Sequence, residues 1–498
     1  MIVGAPLVGA LRKGKNMPTL IFEKSCQGRY ATSQVIQKKI ILNDLPKKYL
    51  RQTKPLLPEM SELDVVRHYT NLSKLNFSID TQFYPLGSCT MKYNPRCAQQ
   101  FVSCSSFLNT HPLTDPKQNQ GILSCLYETQ EMLKQITGMA GVSLVPMAGA
   151  QGEFAGVAMI RAYHDSRNDT QRTEIIVPDA AHGTNPATAT MCGYQVKEVP
   201  TNEDGDIDLE KLKAIVGPQT AGIMLTNPST LGVFERNILE IEKIIHQAGG
   251  LLYYDGANLN AILGKVSPAK MGFDVMHMNL HKTFATPHGT GGPGAGPIAA
   301  NEKLLPFMPI PVVKKMDNQY EWADENDYPQ SIGKLSAFMG NVGVVLRAYI
   351  YMRLLGKTGL TNVAEMATLN ANYLMKKLEK AGFQMTFPTR RAVHEFVMSV
   401  EQTTKQTGVK ALDYAKRLLD YGMHAPTMYF PLIVPECFLI EPTETESKET
   451  LDAFVEIMKT IQHEVETNPE IVKNAPHTLP VKRLDEVKAA REVDITYL

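Results

Sequence analysis

One lysine of this chain lies where a nucleophilic amine would be useful. Lys282 follows the apolar run at residues 273–280, within the segment NLHKTF at 279–284. The run predicts a buried strand, and burial or neighbouring cations lower the pKa of a lysine amine toward nucleophilic use. A nucleophilic lysine can form a Schiff base. A solvated strand end is the alternative interpretation of the same residue types, so neighbouring motifs have to decide.

A second residue at a predicted strand end is acidic. Asp255 closes the apolar run in the segment GLLYYDGAN at residues 250–258. A pyridoxal phosphate site needs a carboxylate at such a place, because a charge-paired pyridinium nitrogen keeps the ring a strong electron sink. A helix N-cap at a βα turn is the alternative interpretation of Asp255.

Two glycine-containing turns could approach a ligand closely. The loop GTGGPG at residues 289–294 follows the lysine, and glycine accepts sharp turns at little cost. The turn GAQGE at 149–153 lies between the apolar residues 142–147 and a stretch with helical spacing. Free amides at such a helix N-terminus bind phosphate. Glycine before a helix is also ordinary turn chemistry.

Two further polar turns follow apolar runs of strand length. The segment DAAHGTNP at residues 179–186 carries His182, whose flat imidazole could stack on a pyridine ring. The segment NPST at 227–230 follows the strand candidate at 223–225. Ligands in open α/β sheets collect at the carboxyl ends of strands. A packed or solvated histidine is the alternative for His182.

Together these motifs resemble the glycine dehydrogenase (decarboxylating) P-protein family, and specifically the lysine-bearing second subunit of its two-chain form. The resemblance rests on FYPLGSCTMKYNP at 83–95, DAAHGTNP at 179–186, NLHKTF at 279–284 and LIEPTETE at 439–446. It implies the α/β, pyridoxal-phosphate-dependent fold type I, similar to aspartate aminotransferase. A large, mainly parallel sheet domain would then be followed by a smaller α+β C-terminal domain.

The resemblance also implies roles for individual residues. Lys282 would form the Schiff base with pyridoxal 5'-phosphate, Asp255 would pair with the ring nitrogen, and His182 would stack on the ring. These three are the expected catalytic residues. The other expected cofactor-binding residues are Gly149, Ala150, Gln151, Asn227, Ala257, His281 and Thr283. The expected substrate-binding residues are Tyr84, Ser88, Cys89, Thr90, Lys92, Asn94 and Thr184. No metal is expected.

The implied reaction is the decarboxylation of glycine, with carbon dioxide released and the aminomethyl group passed to the lipoyl arm of the H-protein. The implied partner is a homologous first subunit, alpha, that lacks the lysine, in an α2β2 heterotetramer. A stand-alone decarboxylase or aminotransferase of the same fold type, or a non-catalytic subunit, are the alternatives. Arg347 and Arg353 are candidates by residue type for the glycine carboxylate, with surface or ion-pair roles as the alternative.

Composition excludes several classes of protein. Lys plus Arg and Asp plus Glu both number 51 among 498 residues, so no basic field points to nucleic acid. No run reaches the ~18 apolar residues of a membrane-spanning helix. The seven cysteines show no metal-binding spacing, and their odd number favours reduced thiols in the cytoplasm.

The chain is predicted to have four segments. Residues 1–16 are expected to be a dispensable extension upstream of Met17, and 17–125 an N-terminal arm. Alternating strand and helix patterns predict the large cofactor-binding domain at 126–310, and 311–498 are predicted to hold a linker and the small C-terminal domain. Helices are predicted at 209–216, on the stripe Ile238, Ile241, Ile245 and Ala248, and on the stripe from Leu451 to Ile461.

Overall fold

The computed structural model of this chain describes residues 19–30, 45–53, 55–288 and 294–492. The chain divides into two compact units, Gln82–Ala475 and the combination of Met1–Thr81 with Pro476–Leu498. The predicted extension at 1–16 and the first five residues of the glycine-rich loop, 289–293, lie outside the described residues.

The helices and strands are numbered along the chain. The helices are α1 Glu62–Ser73, α2 Arg96–Val102, α3 Ser105–Leu108, α4 Gln120–Thr137, α5 Gly149–Ser166, α6 Thr184–Met191, α7 Leu209–Ile215, α8 Ile238–Gln247, α9 Leu280–Thr283, α10 Val342–Lys380, α11 Glu401–Thr407, α12 Ala411–Asp420, α13 Lys448–Thr467, α14 Pro469–Lys473 and α15 Glu486–Arg491. The strands are β1 Gly141–Ser143, β2 Glu174–Pro178, β3 Gln195–Val199, β4 Thr220–Thr226, β5 Leu251–Gly256, β6 Val275–Met278, β7 Ile298–Ala300, β8 Val312–Met316, β9 Gln319–Ala323, β10 Gln384–Met385, β11 Phe396–Ser399, β12 Thr427–Met428 and β13 Cys437–Ile440.

In the described part of the large unit, seven strands form one sheet in the order β1-β7-β6-β5-β4-β2-β3. The neighbours among β2 to β6 are parallel, whereas β7 is antiparallel to both β1 and β6. Strands β4 and β5 are buried at every position. Burial on both faces is typical of a parallel sheet covered by helices, as predicted.

The side chains of β5 alternate between two apolar clusters, one on each face of the sheet. Leu252 and Tyr254 pack in the cluster that contains the buried stripe of α8. Tyr253 packs in the other cluster, together with buried residues of α5. This alternation fixes the face of each β5 residue and leaves Asp255 at the carboxyl end of the strand.

The smaller sheet has four strands in the order β10-β11-β13-β12, and all its pairings are antiparallel. Its cluster of buried apolar residues draws on α10, α12 and α13. Helix α10 is interrupted at Gly356, whose φ of 59° and ψ of −172° are not helical. The small α+β domain predicted from the sequence is therefore present. Among the described helices, none combines the length and the apolar character needed to cross a bilayer.

Several predicted elements have different bounds. Strand β6 ends at Met278 rather than at Leu280, because its pairing with β7 ends at His277 and Ile298 and the chain then enters α9. Strand β1 occupies 141–143 rather than 142–147. The predicted boundary after residue 125 falls inside α4, while the boundaries after 16 and 310 stay predictions.

The three helices predicted from apolar stripes are confirmed as α7, α8 and α13. The proline-containing segment that precedes the small domain holds an antiparallel hairpin of β8 and β9, which the sequence analysis did not predict.

Candidate active site

Lys282 lies in the one-turn helix α9, directly after β6. The neighbouring side chains Leu280 and Thr283 are fully buried and anchor the turn in the core. The backbone carbonyl of Asn279 accepts hydrogen bonds from the N–H groups of Lys282 at 3.0 Å and Thr283 at 3.2 Å. Lys282 itself is half-buried, and its amine makes no ion pair with a carboxylate in the described part of the chain. The fold thus fixes the backbone of this lysine and leaves its amine available.

Asp255 lies next to His277, because β5 and β6 are parallel neighbours and these two residues are paired in register. The exposed fraction of Asp255 is 3%. Its Oδ1 accepts a hydrogen bond from the Ala257 N–H at 3.0 Å and lies 3.4 Å from His277 Nε2. His277 Nδ1 is in turn hydrogen-bonded to the hydroxyl of Tyr253 at 2.5 Å. Burial lowers the pKa of His277 more than Asp255 raises it, so the ring is neutral.

His182 precedes α6 and is positioned by its neighbours on that helix. Its Nδ1 lies 2.8 Å from the Thr184 hydroxyl, and the edge of its ring faces Phe430 at 5.8 Å between centroids. Burial among these groups lowers the pKa of His182, Asp255 opposes that shift and Lys282 adds to it. Since both charges act on one imidazole, the structure brings the three predicted catalytic residues together.

Glu153 of α5 joins the same group, although no site role was predicted for it from the sequence. Its carboxylate accepts hydrogen bonds from the hydroxyls of Thr184 at 2.9 Å and Thr188 at 3.4 Å. Burial first, and then the charge of Asp255, raise the pKa of Glu153 to about 7. A buried carboxyl two hydrogen bonds from His182 is therefore available to hold a proton near neutral pH.

The start of α5 packs tightly against the lysine segment. A Cβ on Gly149 would lie 2.6 Å from Asn279 Oδ1, and a Cβ on Gly152 would lie 2.5 Å from the carbonyl oxygen of Gly296. Backbone therefore excludes a side chain at Gly152, whereas a side chain at Gly149 would displace the Asn279 amide. The residue before the helix, Ala148, provides no side-chain cap, so the first amides of α5 are free to meet an anion.

Three polar atoms of the lysine segment are buried without a hydrogen-bond partner in the described part of the chain, namely Asn279 Oδ1, His281 Nδ1 and Thr283 Oγ1. Burying a polar group without a partner costs about 1–3 kcal/mol, so a ligand that satisfies such atoms stabilises the site. The atoms belong to residues adjacent to Lys282 and to the start of α5. This arrangement fits a cofactor that carries a phosphate group and attaches to the lysine.

Two other residues predicted to bind the cofactor use their side chains within the protein. Gln151 accepts a hydrogen bond from the Met147 N–H at 2.7 Å, and Asn227 accepts one from the Glu235 N–H at 3.0 Å. Ala257 contributes its N–H to Asp255. Through these bonds Gln151 and Asn227 shape the turns at the strand ends, and Ala257 shapes the carboxylate site.

The 84–94 segment reaches the lysine through its turn. His288 Nε2 lies 2.7 Å from the carbonyl oxygen of Cys89, and the charge of Lys282 acts on the Cys89 thiol. Burial raises the pKa of that thiol to about 11, so it is protonated near neutral pH. Tyr84 stacks on His424 with ring centroids 3.6 Å apart, and Asn94 is half-buried ahead of α2.

Lys92 is held by the protein rather than exposed to a substrate. Its Nζ donates to Glu444 Oε1 at 2.7 Å, to the carbonyl oxygen of Thr283 at 2.9 Å and to the Tyr351 hydroxyl at 3.4 Å. The ammonium therefore ties the 84–94 segment to the lysine turn.

Neither arginine candidate for the substrate carboxylate lies free. Arg353 pairs with Glu128 at 2.8 Å, and Arg347 donates to the Gly343 carbonyl oxygen and to Gln99. Both contacts favour the alternative, structural role.

Fold and site together define a pyridoxal-phosphate-dependent enzyme of fold type I. The structure resembles alanine–glyoxylate aminotransferase from Nostoc sp. with a TM-score of 0.56 at 16% identity, covering 76% of this chain and 95% of that chain. It resembles glycine decarboxylase (P-protein) of the glycine cleavage system, in inhibitor-bound form, with a TM-score of 0.70 at 20% identity, covering 84% of this chain and 94% of that chain.

The profile described as "Glycine cleavage system P-protein" matches residues 33–319, and that of "Glycine dehydrogenase, C-terminal domain" matches 363–478. The chain is 67% identical over 478 residues to the "Probable glycine dehydrogenase (decarboxylating) subunit 2" of Thiobacillus denitrificans, covering 96% of this chain and 99% of that protein. This chain belongs to the glycine cleavage system P-protein family, which confirms the resemblance read from its motifs.

Sequence reasoning missed several charged or polar residues around Lys282. Glu441 lies in the motif LIEPTETE that carried the resemblance, so a signal for it existed. Glu395 and His394 precede β11 and belong to no motif. They come close to the lysine only through the packing of the small domain, which the sequence does not display.

Proposed function

We propose that this chain catalyses the pyridoxal-phosphate-dependent decarboxylation of glycine, releases carbon dioxide and passes the aminomethyl group to the lipoyl arm of the H-protein. The observation that carries the proposal is the match along 96% of the chain to a relative named as glycine dehydrogenase (decarboxylating) subunit 2. The grouping of Lys282, Asp255 and His182 supports it, because a non-catalytic chain has no need of all three.

Lys282 would attach the cofactor, and the free amides at the start of α5, with His281 and Thr283, would hold its phosphate. When bound, pyridoxal phosphate supplies a conjugated ring that accepts the electron pair released at the substrate carbon. The buried atoms His281 Nδ1 and Thr283 Oγ1 support this placement, since both lack another partner among the described residues. Gly149 and Ala150 would contribute backbone rather than side-chain atoms.

Asp255 would place its carboxylate at the base of the site. Its Oδ1 is oriented by the Ala257 N–H and by the neutral His277, so the carboxylate does not have to reorganise when it pairs with a ring nitrogen. His182, held by Thr184, provides the flat face on the other side. Because Thr184 also donates to Glu153, a proton on Glu153 can adjust the charge at this end of the site.

Lys282 would also be the group placed to accept or return a proton near the substrate carbon. The 84–94 segment would line the glycine side, with the Ser88, Cys89 and Thr90 turn closest to the lysine. Lys92 and Asn94 would act there through the backbone position rather than by direct contact with glycine.

The relative's designation as a second subunit supports a partner for this chain. We propose that the partner is a homologous first subunit without the lysine, in an α2β2 heterotetramer, and that lipoylated H-protein is the third component. A cytoplasmic location is also proposed. All seven cysteines fall within the described residues and are free thiols, which supports a reducing compartment.

The test is the exchange of labelled bicarbonate carbon into glycine by the purified chain with pyridoxal phosphate and lipoylated H-protein. The assay is run with and without the candidate first subunit, and with H-protein that lacks its lipoyl group as the matched control. Exchange that requires both the partner and the lipoyl group supports the proposal. Attached cofactor without exchange in any combination would contradict it and indicate a different amino-acid substrate.

A further inference from the structure

Three side chains of the small domain form a fully buried polar cluster near Lys282. His394, Glu395 and Glu441 each have an exposed fraction of 0%. One polar atom from each lies within 4.8 Å of the others. The positive charge of Lys282 acts on all three groups. The cluster is therefore part of the electrostatic surroundings of the lysine, although none of its residues was a predicted site residue.

The two glutamates hold the turn that carries Cys89. Glu395 Oε2 accepts a hydrogen bond from the Ser88 N–H at 2.7 Å. Glu441 accepts two bonds from Thr90, from the N–H at 2.8 Å and from the hydroxyl at 2.7 Å. Ser88 and Thr90 have φ angles of 65° and 50°, which side-chain-bearing residues rarely adopt. The turn keeps this backbone because the small domain accepts its N–H groups.

The glutamates differ in what surrounds their oxygens. Both oxygens of Glu441 accept hydrogen bonds from donors, which stabilises the ionised form. Glu395 Oε1 has no hydrogen-bond partner in the described part of the chain and lies 3.5 Å from His394 Nε2. Both ring nitrogens of His394 are also without a partner there. A bare buried carboxylate oxygen is costly, whereas a protonated one can donate toward a neutral imidazole.

Two like charges at this separation and burial do not both persist, so the pair holds a proton. Burial first, and then mutual repulsion, raise the pKa of Glu395 well above its ordinary value, and burial raises that of Glu441 to about 7. Burial lowers the pKa of His394 to about 3, so the imidazole stays neutral. The other charged or titratable groups facing the pair are Lys282, Glu444 and Cys89.

We propose that Glu395 and Glu441 share one proton, carried on Glu395 Oε1, and that the single negative charge left on Glu441 fixes the Ser88–Thr90 turn and faces Lys282. The pair acts as a positioning and charge-setting device for the lysine. It supplies one negative charge where two acidic residues stand, and that charge acts on the Lys282 amine without fixing it in an ion pair.

Glu395, the neutral member of the pair, and Glu441, the charged member, are expected to respond differently to replacement by glutamine. Glu395→Gln replaces a neutral acid by a neutral amide of the same shape, so the turn and the charge near Lys282 are expected to be retained. Glu441→Gln removes the only negative charge of the pair. The exposed Glu449→Gln on α13 is the matched control for loss of an ordinary carboxylate.

Infrared difference spectra of the chain without cofactor count the protons directly. Relative to the unmodified chain, Glu395→Gln is expected to lose one carboxylic-acid carbonyl band and no carboxylate band. The double variant Glu395→Gln/Glu441→Gln is expected to lose one of each, and Glu449→Gln only a carboxylate. Loss of a carboxylate alone in Glu395→Gln, or of two acid bands in the double variant, would overturn the proposal.

The second measurement is the pH dependence of acetylation of Lys282, resolved by peptide mass spectrometry on the same cofactor-free chains. Glu441→Gln removes the one negative charge that faces the Lys282 amine, so labelling of Lys282 at a fixed pH is expected to rise about tenfold. Glu395→Gln is expected to leave the labelling curve unchanged. A merely structural pair would move neither curve in folded protein, and that result would overturn the proposed charge-setting role.

If the Glu441→Gln chain does not fold, the Glu395→Gln and Thr90→Val chains still test the proposal. Thr90→Val keeps both carboxyl groups but removes one donor to Glu441, so Glu441 should take up a proton in part and the carboxylic-acid band should grow. An unchanged band would contradict the assignment of Glu441 as the charged member that Thr90 stabilises. A divalent metal ion bound one per chain, and lost in Glu395→Gln, would also overturn the proposal. Because these measurements are made without substrate, their failure leaves the proposed decarboxylation standing.

Discussion

Two lysines lie on adjoining segments of this molecule and are held in opposite ways. Lys92, on the 84–94 segment, is 3% exposed and forms an ion pair with Glu444 at 2.7 Å. Lys282, on α9, is half-buried and makes no ion pair with a carboxylate in the described part of the chain. The segments touch, since Lys92 Nζ donates to the carbonyl oxygen of Thr283 at 2.9 Å.

The difference separates a structural cation from a reactive amine. Burial lowers the pKa of Lys92, but Glu444 and the Tyr351 hydroxyl raise it by more, so the net shift is upward and the ammonium persists. Its three hydrogen bonds fix one geometry. Lys282 lies in the field of a buried carboxylate that forms no ion pair with it, Glu441. An amine that is not fixed by an ion pair stays available to react with a carbonyl group.

Lys282→Ala should have the largest effect, because it removes the only amine of the pair that can react. We expect no covalently attached cofactor, no visible absorbance from it, and a loss of glycine–bicarbonate exchange of at least ~10³-fold. Absorbance spectra and the exchange assay measure these outcomes. Retained exchange in Lys282→Ala would break the comparison by placing the reactive amine elsewhere.

Asp255→Asn should have the second-largest effect on the exchange activity. The amide keeps the shape of the side chain and removes the charge at the base of the site, so cofactor attachment to Lys282 is expected to survive. The exchange rate should fall about 10²–10³-fold, the range typical for loss of one preorganised electrostatic group. Turnover close to that of the unmodified chain, with cofactor bound, would remove Asp255 from the chemistry.

Lys92→Met tests the structural half of the comparison. It leaves the Glu444 carboxylate without its cation, and breaking a buried pair typically costs about 3–5 kcal/mol of unfolding free energy. Urea unfolding of the Lys92→Met chain measures this cost. The double variant Lys92→Met/Glu444→Gln should recover part of the loss, because it leaves no uncompensated charge.

The matched control for Lys92→Met is Lys448→Met, since Lys448 and Asp452 form an exposed pair at 2.6 Å with Lys448 65% exposed. That substitution should shift the urea midpoint far less than Lys92→Met does, because solvent screens an exposed pair. Equal losses of unfolding free energy in the two lysine variants would show that the buried Lys92–Glu444 pair stabilises the fold no more than an exposed pair does. That result would contradict the structural role of Lys92.

Glu153→Gln should have the smallest effect, visible as a change in pH dependence. Because burial raises the pKa of Glu153 from 4.5 to about 7, the folded chain binds more protons than the unfolded chain between those values. The contribution of Glu153 to the unfolding free energy is therefore fully present below pH 4.5 and is lost as the pH rises through 7. Between pH 4.5 and 7, the Glu153→Gln chain should therefore lose roughly 1–3 kcal/mol less unfolding free energy than the unmodified chain. Denaturant unfolding at several pH values in this range measures the difference. An unchanged slope would contradict the raised pKa.

Much of the site could be predicted because its signals are local. Lys282, Asp255 and His182 each follow an apolar run, and parallel strands bring their carboxyl ends to one edge of a sheet. The apolar run before Lys282 predicts a strand that ends at Leu280, two residues beyond the observed end of β6. The difference arises because an apolar residue such as Leu280 fits a buried strand and the buried turn of α9 equally well.

For other predicted site residues, the structure shows side-chain partners within the protein. Gln151, Asn227 and Lys92 lie near the predicted site, yet each gives its side-chain hydrogen bonds to the protein. Residue type shows what a side chain can bond, and only the packing shows which partner is within reach. The same limit applies to Arg353, whose nearest partner is Glu128.

By itself the sequence determined the class of fold and predicted a lysine and an acidic residue at the ends of two strands, because strand periodicity and turn composition act over a few residues. Only the tertiary structure decided which charges surround that lysine. Thr90 and Glu441 are 351 positions apart, and Lys92 and Glu444 are 352 apart. Contacts at such separations depend on how the small domain packs, and burial of the resulting groups is what shifts their pKa values.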